Sequence, residues 1–262
     1  MPSRIKNRFD ELRGKGEKAF IPYVMCGDPT LEKTEEMVLL LEESGADVIE
    51  LGVPFSDPLA DGPVIQAAAG RALAAGVSLK TAIDFVGKIR QKTALPLVLM
   101  TYYNPVFKYG VPSFAADAAG AGVDGVIVPD LPVEEAADLI KNARRHALDT
   151  IFLAAPTSGD ERLKKVARAS RGFIYFVSMT GITGARLEVK DSDALSASVS
   201  KLREFSGGRP VAVGFGVSTP GEAAIVAGLA DGVIVGSAIV KRAAEDTGSL
   251  PDYLKRLRAA IR

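Results

Sequence analysis

Residues 46–63 read ADVIELGVPFSDPLADGP, an apolar run followed by a loop rich in proline and acidic residues. A short apolar run of this kind is typical of a buried strand. Each proline in the loop fixes its own φ and restricts the residue before it. The stretch therefore predicts a strand that leads into a restricted loop, with Glu50 near the strand's carboxyl end and Asp61 in the loop.

Glu50 and Asp61 are the first candidates for reactive groups. A carboxylate at the end of a buried strand is costly to desolvate unless it is paired or functional. One interpretation places both acids around one concavity; the other makes Glu50 a salt-bridged acid and Asp61 a loop cap. The residues alone leave both open. The only histidine, His146, lies in a basic helix end and is expected at the surface, so acid–base chemistry falls to carboxylates or tyrosines.

The strand of the opening stretch is one of eight apolar runs, each followed by a helical pattern. The predicted strands are residues 20–25, 47–51, 97–101, 125–128, 150–154, 173–177, 211–215 and 232–235. The predicted helices are residues 3–13, 31–44, 63–75, 78–92, 113–121, 133–146, 160–170, 191–205, 220–230 and 250–262. This alternation, without a linker, predicts a single (β/α)8 TIM-barrel domain over residues 1–262, with an extra N-terminal helix and short extra helices in loops. A doubly wound sheet is the alternative, but residues 26–29 lack the glycine-rich turn of its nucleotide-binding version.

Composition excludes several classes of protein. The chain has 32 basic and 32 acidic residues, which argues against a nucleic-acid or anionic-membrane partner. The single Cys26 cannot form an internal disulfide, and no Cys/His cluster has metal-ligand spacing, so no metal is expected. The charged residues 1–18 do not resemble a signal peptide, and no run approaches the roughly 18 apolar residues of a membrane span. A soluble cytoplasmic protein is expected.

Glycine-rich turns follow the predicted strands six, seven and eight, at residues 181–184, 214–218 and 236–238. Glycine lets backbone N–H groups approach a ligand, and the last turn opens a short helix whose N-terminus favours an anion. TIM barrels often bind phosphate at the loops after strands seven and eight. The turns predict a phosphate site, although glycine also serves turns for backbone reasons alone. No Walker sequence is present, so a nucleoside triphosphate is not expected.

Aromatic residues at the strand ends have two interpretations each. Tyr175, on the sixth strand, either points inward to hydrogen-bond a reacting group or packs in the barrel core. Tyr102 ends the third strand. Tyr23 and Phe215 either form an apolar wall for a flat ligand or belong to the core.

Together these motifs resemble the alpha subunits of tryptophan synthase over essentially the whole chain. The matching stretches are residues 50–63, 122–125, 130–132, 181–185 and 214–216, in the family's order. The resemblance implies a TIM-barrel lyase that cleaves indole-3-glycerol phosphate to indole and D-glyceraldehyde 3-phosphate, a retro-aldol reaction of L-tryptophan biosynthesis. It also favours the functional interpretation of the two acids.

The resemblance implies a role for each matching residue. Glu50 would be the general acid/base at indole C3 and the glyceryl hydroxyl, and Asp61 would bind the indole N–H and stabilise its developing positive charge. Tyr175 matches an active-site tyrosine. The implied substrate-binding residues are Tyr23, Ile127, Thr183, Gly184 and Phe215. The implied phosphate-binding positions are Gly184, Gly214, Gly236 and Ser237.

The resemblance also implies a partner. Family members pair with a pyridoxal-phosphate beta subunit in an alpha2beta2 complex and pass indole to it through a tunnel, so no cofactor is expected in this chain. Positions near that interface match Pro54, Asp57, Asn104 and Pro132, and residues 178–190 resemble a mobile lid. A stand-alone indole-3-glycerol-phosphate lyase remains an alternative. A silent activator is disfavoured by the retained acids, and a phosphosugar isomerase by the lack of other strand-end acids besides Asp130.

Overall fold

The computed structural model describes residues 3–178, 192–214 and 216–262. The described strands are β1 (Ala19–Met25), β2 (Ile49–Gly52), β3 (Leu97–Met100), β4 (Gly125–Ile127), β5 (Asp149–Ile151), β6 (Leu153–Ala154), β7 (Ile174–Val177), β8 (Val211–Gly214) and β9 (Gly232–Val235). The described helices are α1 (Arg4–Lys15), α2 (Leu31–Glu43), α3 (Pro63–Ala74), α4 (Leu79–Ile89), α5 (Tyr103–Tyr109), α6 (Val111–Ala121), α7 (Ala137–Arg145), α8 (Asp160–Ala169), α9 (Ser192–Ser206), α10 (Pro220–Leu229), α11 (Ser237–Glu245) and α12 (Leu250–Ile261).

The strands form one parallel sheet in the order β5-β4-β3-β2-β1-β9-β8-β7-β6. β5 and β6 lie at the two ends of this order, yet only Phe152 separates them in the chain. They are therefore two halves of one barrel strand, and the sheet closes through it. The (β/α)8 barrel predicted from the sequence is confirmed, and the doubly wound sheet is excluded.

Helix ends follow local sequence. The Thr30 hydroxyl accepts the Lys33 N–H at 3.2 Å and caps α2, and Gly45, with φ of 88°, follows the end of this helix. The sequence pattern missed α5, which is short and contains Pro105. This proline lies in the first helical turn, where its missing N–H costs no intrahelical hydrogen bond. The helix predicted from residue 133 begins later, at Ala137, because residues 133–136 form turns.

Alternate residues of each strand face the barrel interior, because side chains alternate along a strand. Ala19 and Ile21 of β1 belong to the interior cluster. The apolar face of α1 packs into the same cluster through Ile5, Phe9 and Leu12, all nearly inaccessible to solvent. The first helix therefore closes the amino-terminal end of the barrel, and open space remains at the carboxyl ends of the strands.

Aspartates fix the amino-terminal end. Three of them precede a strand and accept the N–H of a residue in the neighbouring strand: Asp47 from Phe20 (2.7 Å), Asp124 from Leu97 (2.9 Å) and Asp231 from Val211 (2.9 Å). Each also pairs with at least one arginine: Asp47 with Arg8 and Arg258, Asp124 with Arg4 and Arg90, and Asp231 with Arg203. These buried or half-buried acids are satisfied by partners, so they serve the fold.

Two further features concern function. Within the ranges the structure describes, no helix combines the length and apolar character needed to cross a membrane. In those same ranges, no three His, Cys, Asp or Glu side chains are grouped as a metal ion would require. His146 is exposed beyond the end of α7, as predicted, and Cys26 is a buried free thiol.

Candidate active site

A cavity of about 660 Å³ opens at the carboxyl-terminal face of the barrel. Catalytic sites of this fold lie at that face, built from the loops that follow the strands. Six residues singled out from the sequence line it: Glu50, Asp61, Tyr23, Tyr175, Gly236 and Ser237. The fold therefore brings both acids, both inward tyrosines and the start of α11 around one space.

Glu50 lies in β2, in register with Tyr23 of β1, so both side chains face the barrel interior. It is fully buried, and neither carboxylate oxygen has a hydrogen-bond partner among the described residues. Burial without a partner disfavours the charged form and raises the pKa of Glu50 to about 8. At neutral pH the carboxyl group therefore mostly holds its proton, and the structural interpretation as a salt-bridged acid does not apply.

Asp61 lies in the loop between β2 and α3 and has a different environment. Its backbone carbonyl accepts a hydrogen bond from the Gln66 side chain at 2.7 Å. Burial raises the pKa of Asp61, but a hydrogen bond from the Tyr102 hydroxyl opposes this shift. Asp61 is therefore easier to ionise than Glu50, and the two acids are suited to different tasks.

Tyr23 and Tyr175 are almost fully buried. Burial raises the pKa of both phenols well above the usual value, and the charge of Glu50 adds to the shift in each case. Both tyrosines therefore remain protonated near neutral pH and lie close enough to Glu50 to be coupled to it electrostatically. Tyr175 lines the cavity and also packs in the interior cluster, so its hydrogen bond to a reacting group stays a prediction.

The start of α11 forms another part of the cavity wall, after β9 and two strand positions from β2. Gly236 caps this helix and Ser237 is its first residue, so backbone N–H groups of the first turn lack intrahelical acceptors. Lys241 and Arg242 of the same helix also line the cavity and add positive charge. Ser218 lines it from the loop after β8, where its N–H donates to Glu222 at 2.7 Å. Glu245 and Asp246, at the other end of α11, also line the cavity and bring negative charge, so the part of this wall whose polarity suits an anionic group is the first turn of the helix.

The remaining sequence predictions fall in several places. Ile127 packs in the barrel interior and does not belong to the cavity wall. Gly214 ends β8, and its carbonyl accepts hydrogen bonds from the Ser178 backbone N–H at 3.0 Å and hydroxyl at 2.9 Å. Thr183, Gly184 and Phe215 lie outside the described residues. Residues 179–190 of the predicted lid also lie outside them. Among the predicted interface residues, Pro54 is buried, Pro132 is partly exposed, and Asp57 and Asn104 are exposed.

Sequence reasoning missed several cavity residues. Lys241 lies four positions after Ser237, hence on the same helix face, so the spacing carried the information once α11 was recognised. Thr219 lines the cavity directly after the glycine-rich turn of residues 214–218. Tyr102 was noted without a role, because only the folded loop shows that its hydroxyl reaches residues 60 and 61.

The fold and the cavity together define a (β/α)8 barrel with two carboxyl groups, those of Glu50 and Asp61, in a cavity at its carboxyl-terminal face. Comparison with known proteins agrees. The family model described as tryptophan synthase alpha chain matches residues 9–262. The chain therefore belongs to the tryptophan synthase alpha chain family.

Individual relatives extend over the whole chain. The tryptophan synthase alpha chain of Geobacter sulfurreducens is 52% identical over 264 residues, with 99% of each chain covered. That of a Picosynechococcus species is 47% identical, with 98% of each chain covered. Among solved structures, Legionella pneumophila tryptophan synthase subunit alpha superimposes with a TM-score of 0.91 at 37% identity, covering 100% of this chain and 99% of that one. The structure of Mycobacterium tuberculosis tryptophan synthase superimposes with a TM-score of 0.92 at 40% identity, again covering 100% of this chain and 99% of that one.

Proposed function

We propose that this chain is a lyase that cleaves indole-3-glycerol phosphate to indole and D-glyceraldehyde 3-phosphate in tryptophan biosynthesis. One observation carries the residue assignment within this family. A buried, protonated Glu50 and a more easily ionised Asp61 share a cavity with the N-terminus of α11. The reaction needs a proton donor and base, a stabiliser of positive charge, and an anchor for phosphate, and the cavity supplies all three.

Proton transfer by Glu50 accounts for the bond that breaks. Protonated Glu50 gives its proton to indole C3, which leaves positive charge on the ring nitrogen. The resulting carboxylate then takes the proton of the hydroxyl on the adjacent glyceryl carbon. As that oxygen forms a carbonyl, the bond from the carbon to indole C3 breaks and its electron pair returns to the ring. Indole and the aldehyde leave, and Glu50 is protonated again, now with the proton taken from the hydroxyl.

The environment of Glu50 suits this double role. A pKa of about 8 makes it a competent acid at neutral pH, and its desolvated anion is a stronger base than a carboxylate in water. Asp61 accepts the indole N–H in its ionised form, and this contact strengthens as positive charge develops on the ring. Tyr175 and Tyr23 border the space beside Glu50, where they shape an apolar site for the flat ring.

The phosphate group would bind at the first turn of α11. Backbone N–H groups at Gly236 and Ser237 and the helix dipole both favour an anion there. Gly184 and Gly214 complete the proposed phosphate site, with Thr183 and Phe215 proposed as further substrate contacts. Ile127 packs in the barrel interior away from the cavity wall and is left out of this proposal.

A beta subunit carrying pyridoxal phosphate is the proposed partner. Leu59, in the loop after β2, is 81% exposed, and Phe107, on α5 after β3, is 66% exposed. Each lies close in sequence to an exposed residue matched to the family interface, Asp57 and Asn104 respectively. Neighbouring connections at the catalytic face therefore present apolar side chains to solvent, which suits a docking surface next to the site where indole forms. Pro132 borders the same face in the connection after β4.

The direct test is incubation with indole-3-glycerol phosphate, with indole release measured in the presence and absence of a beta subunit. We expect release in both cases and faster release with the partner. If the chain releases indole, does not bind the beta subunit and shows no change of rate in its presence, it is a stand-alone lyase. No release under either condition, with the partner nevertheless activated, would make the chain a silent activator and contradict the proposal.

A further inference from the structure

We infer that Tyr102 is a positioning residue that holds Asp61 against the cavity, an inference that rests on the proposed role of Asp61. Tyr102 lies just after β3 and precedes α5, and only 4% of it is exposed. It therefore approaches the loop that follows β2 from the neighbouring strand position. No part of the proposed reaction uses Tyr102 itself.

One hydroxyl group binds two consecutive residues of that loop. The Tyr102 oxygen accepts the Ala60 backbone N–H at 3.1 Å, and its O–H donates to the Asp61 carboxylate. A phenol has one proton to donate and lone pairs to accept, so both capacities are used here. The backbone before Asp61 and its side chain are thus fixed by the same atom.

The Tyr102 ring is itself fixed by the start of the loop. Its centroid lies 5.3 Å from that of Phe55, with the planes tilted by 31°. Between these two contacts the loop is largely open to solvent, with Ser56, Asp57 and Leu59 exposed. A segment with few buried contacts depends on the ones it has for its position. Tyr102 connects the first part of the loop to the acid near its end.

Charge supports the same assignment. The groups that face Asp61 are the Tyr102 hydroxyl and, across the cavity, Tyr23 and Glu50, while Asp130 lies near Tyr102. Burial raises the pKa of Asp61, and the bond from Tyr102 lowers it. A donor to the charged carboxylate favours ionisation, and the ionised form is the one that stabilises a positive indole nitrogen.

The test compares Tyr102→Phe with Tyr109→Phe. The second change also removes a phenol that donates to a carboxylate, Asp117 at 2.7 Å, but on the surface and away from the cavity. We expect Tyr102→Phe to lower kcat for indole-3-glycerol phosphate by about tenfold or more, the effect of losing a hydrogen bond to a charged group. The acid limb of the pH profile should move to higher pH, and affinity for glycerol 3-phosphate should stay unchanged. Tyr109→Phe should match wild type in each respect.

Several outcomes would overturn the inference. A Tyr102→Phe variant with the wild-type kcat and pH profile would overturn it. Equal losses of kcat in Tyr102→Phe and Tyr109→Phe would overturn it as well. A lowered melting temperature with an unmoved pH profile would make Tyr102 a structural residue only. Asp61→Asn, assayed in parallel, separates this inference from the proposed function. An inactive Asp61→Asn beside a fully active Tyr102→Phe rejects the positioning role alone, whereas an active Asp61→Asn rejects the proposed role of Asp61.

Discussion

Tyr23 occupies the space that a side chain on Gly52 would fill. A Cβ atom built on Gly52 would lie 1.9 Å from the Tyr23 hydroxyl oxygen. Tyr175 stands in the same relation to Gly214, at 2.4 Å. In both pairs the glycine lies on the adjacent strand, opposite the residue two positions beyond the tyrosine. Two inward glycines thus make room for the two phenols that border Glu50.

Gly52→Ala should therefore damage the site through Tyr23. The added methyl group cannot coexist with the ring, so the ring must move within a packed barrel. We expect a loss of about 1–3 kcal/mol in the free energy of unfolding, the usual cost of overpacking, together with a marked loss of indole release. Gly87→Ala is the control, because its Cβ would meet only the Ala121 Cβ at 3.9 Å within a helix. Equal stability and activity in both variants would contradict the steric argument.

Glu50 should make the stability of the protein fall as pH rises. The ordinary pKa of a glutamate carboxyl group is 4.5 and burial raises that of Glu50 to about 8, so the folded state binds this proton more tightly than the unfolded state does. Ionisation is therefore opposed in the fold, and stability is lost progressively from about pH 4.5 to about pH 8. The total is on the order of a few kcal/mol. Glu50→Gln removes this titration, while other groups titrate alike in both proteins.

Chemical denaturation at several pH values measures the effect. The free energy of unfolding of Glu50→Gln, minus that of wild type, should increase across the interval and level off above it. The increase, rather than the absolute value, is diagnostic, because the uncharged amide brings its own cost of burial at every pH. Parallel curves for the two proteins would show that Glu50 is not desolvated as described.

A side chain at Gly236 should weaken phosphate binding selectively. The first added carbon would lie 3.5 Å from the Tyr23 Cβ, an ordinary contact, so the backbone tolerates the change. We expect Gly236→Val to reduce affinity for glycerol 3-phosphate by about tenfold or more, through blocked access to the backbone N–H groups, and to affect indole less. Gly228→Val, on the exposed side of α10, is the matched control. Unchanged glycerol 3-phosphate affinity in Gly236→Val would argue against the phosphate site.

The proposed docking surface predicts a separation of partner binding from chemistry. Leu59→Ser and Phe107→Ser should each weaken binding of the beta subunit, because they remove exposed apolar groups from the catalytic face, while indole release by the isolated chain stays close to wild type. Leu73→Ser serves as control, since Leu73 is also an exposed apolar residue but lies on α3. Calorimetry or sedimentation with the beta subunit would report the difference. If all three variants bind the beta subunit with equal affinity, the interface does not lie at Leu59 and Phe107.

The alternation of strand and helix was readable from the sequence because it follows directly from hydrophobic patterning. The split of the fifth strand at Phe152 was not, because there the N–H of Phe152 donates to the side-chain hydroxyl of Ser170, a residue distant in the sequence, at 3.2 Å. α5 was missed for a local reason, its shortness and its proline. Hydrophobic patterns report the local preference for helix or strand and the burial of a segment, whereas the split strand and α5 depend on tertiary contacts and on an atypical local sequence.

The candidate site divides in the same way. Glu50 and Gly236 were identifiable because strand ends and glycine-rich turns occur at fixed points of a barrel. Their roles came from the family resemblance, since the residues alone left the structural interpretation of Glu50 open. Glu50 has no hydrogen-bond partner among the residues that the structure describes, and the Tyr102 hydroxyl contacts Asp61; both are properties of three-dimensional packing that no spacing rule contains.

The central claim is that Glu50 donates a proton to indole C3 and then accepts the proton of the glyceryl hydroxyl. The most direct measurement is indole release from indole-3-glycerol phosphate by Glu50→Gln, with substrate binding to the same variant measured at equilibrium. Removing a general acid/base should reduce turnover by about 10²–10⁴-fold while binding stays close to wild type. Indole release at the wild-type rate by a folded, substrate-binding Glu50→Gln protein would contradict the account.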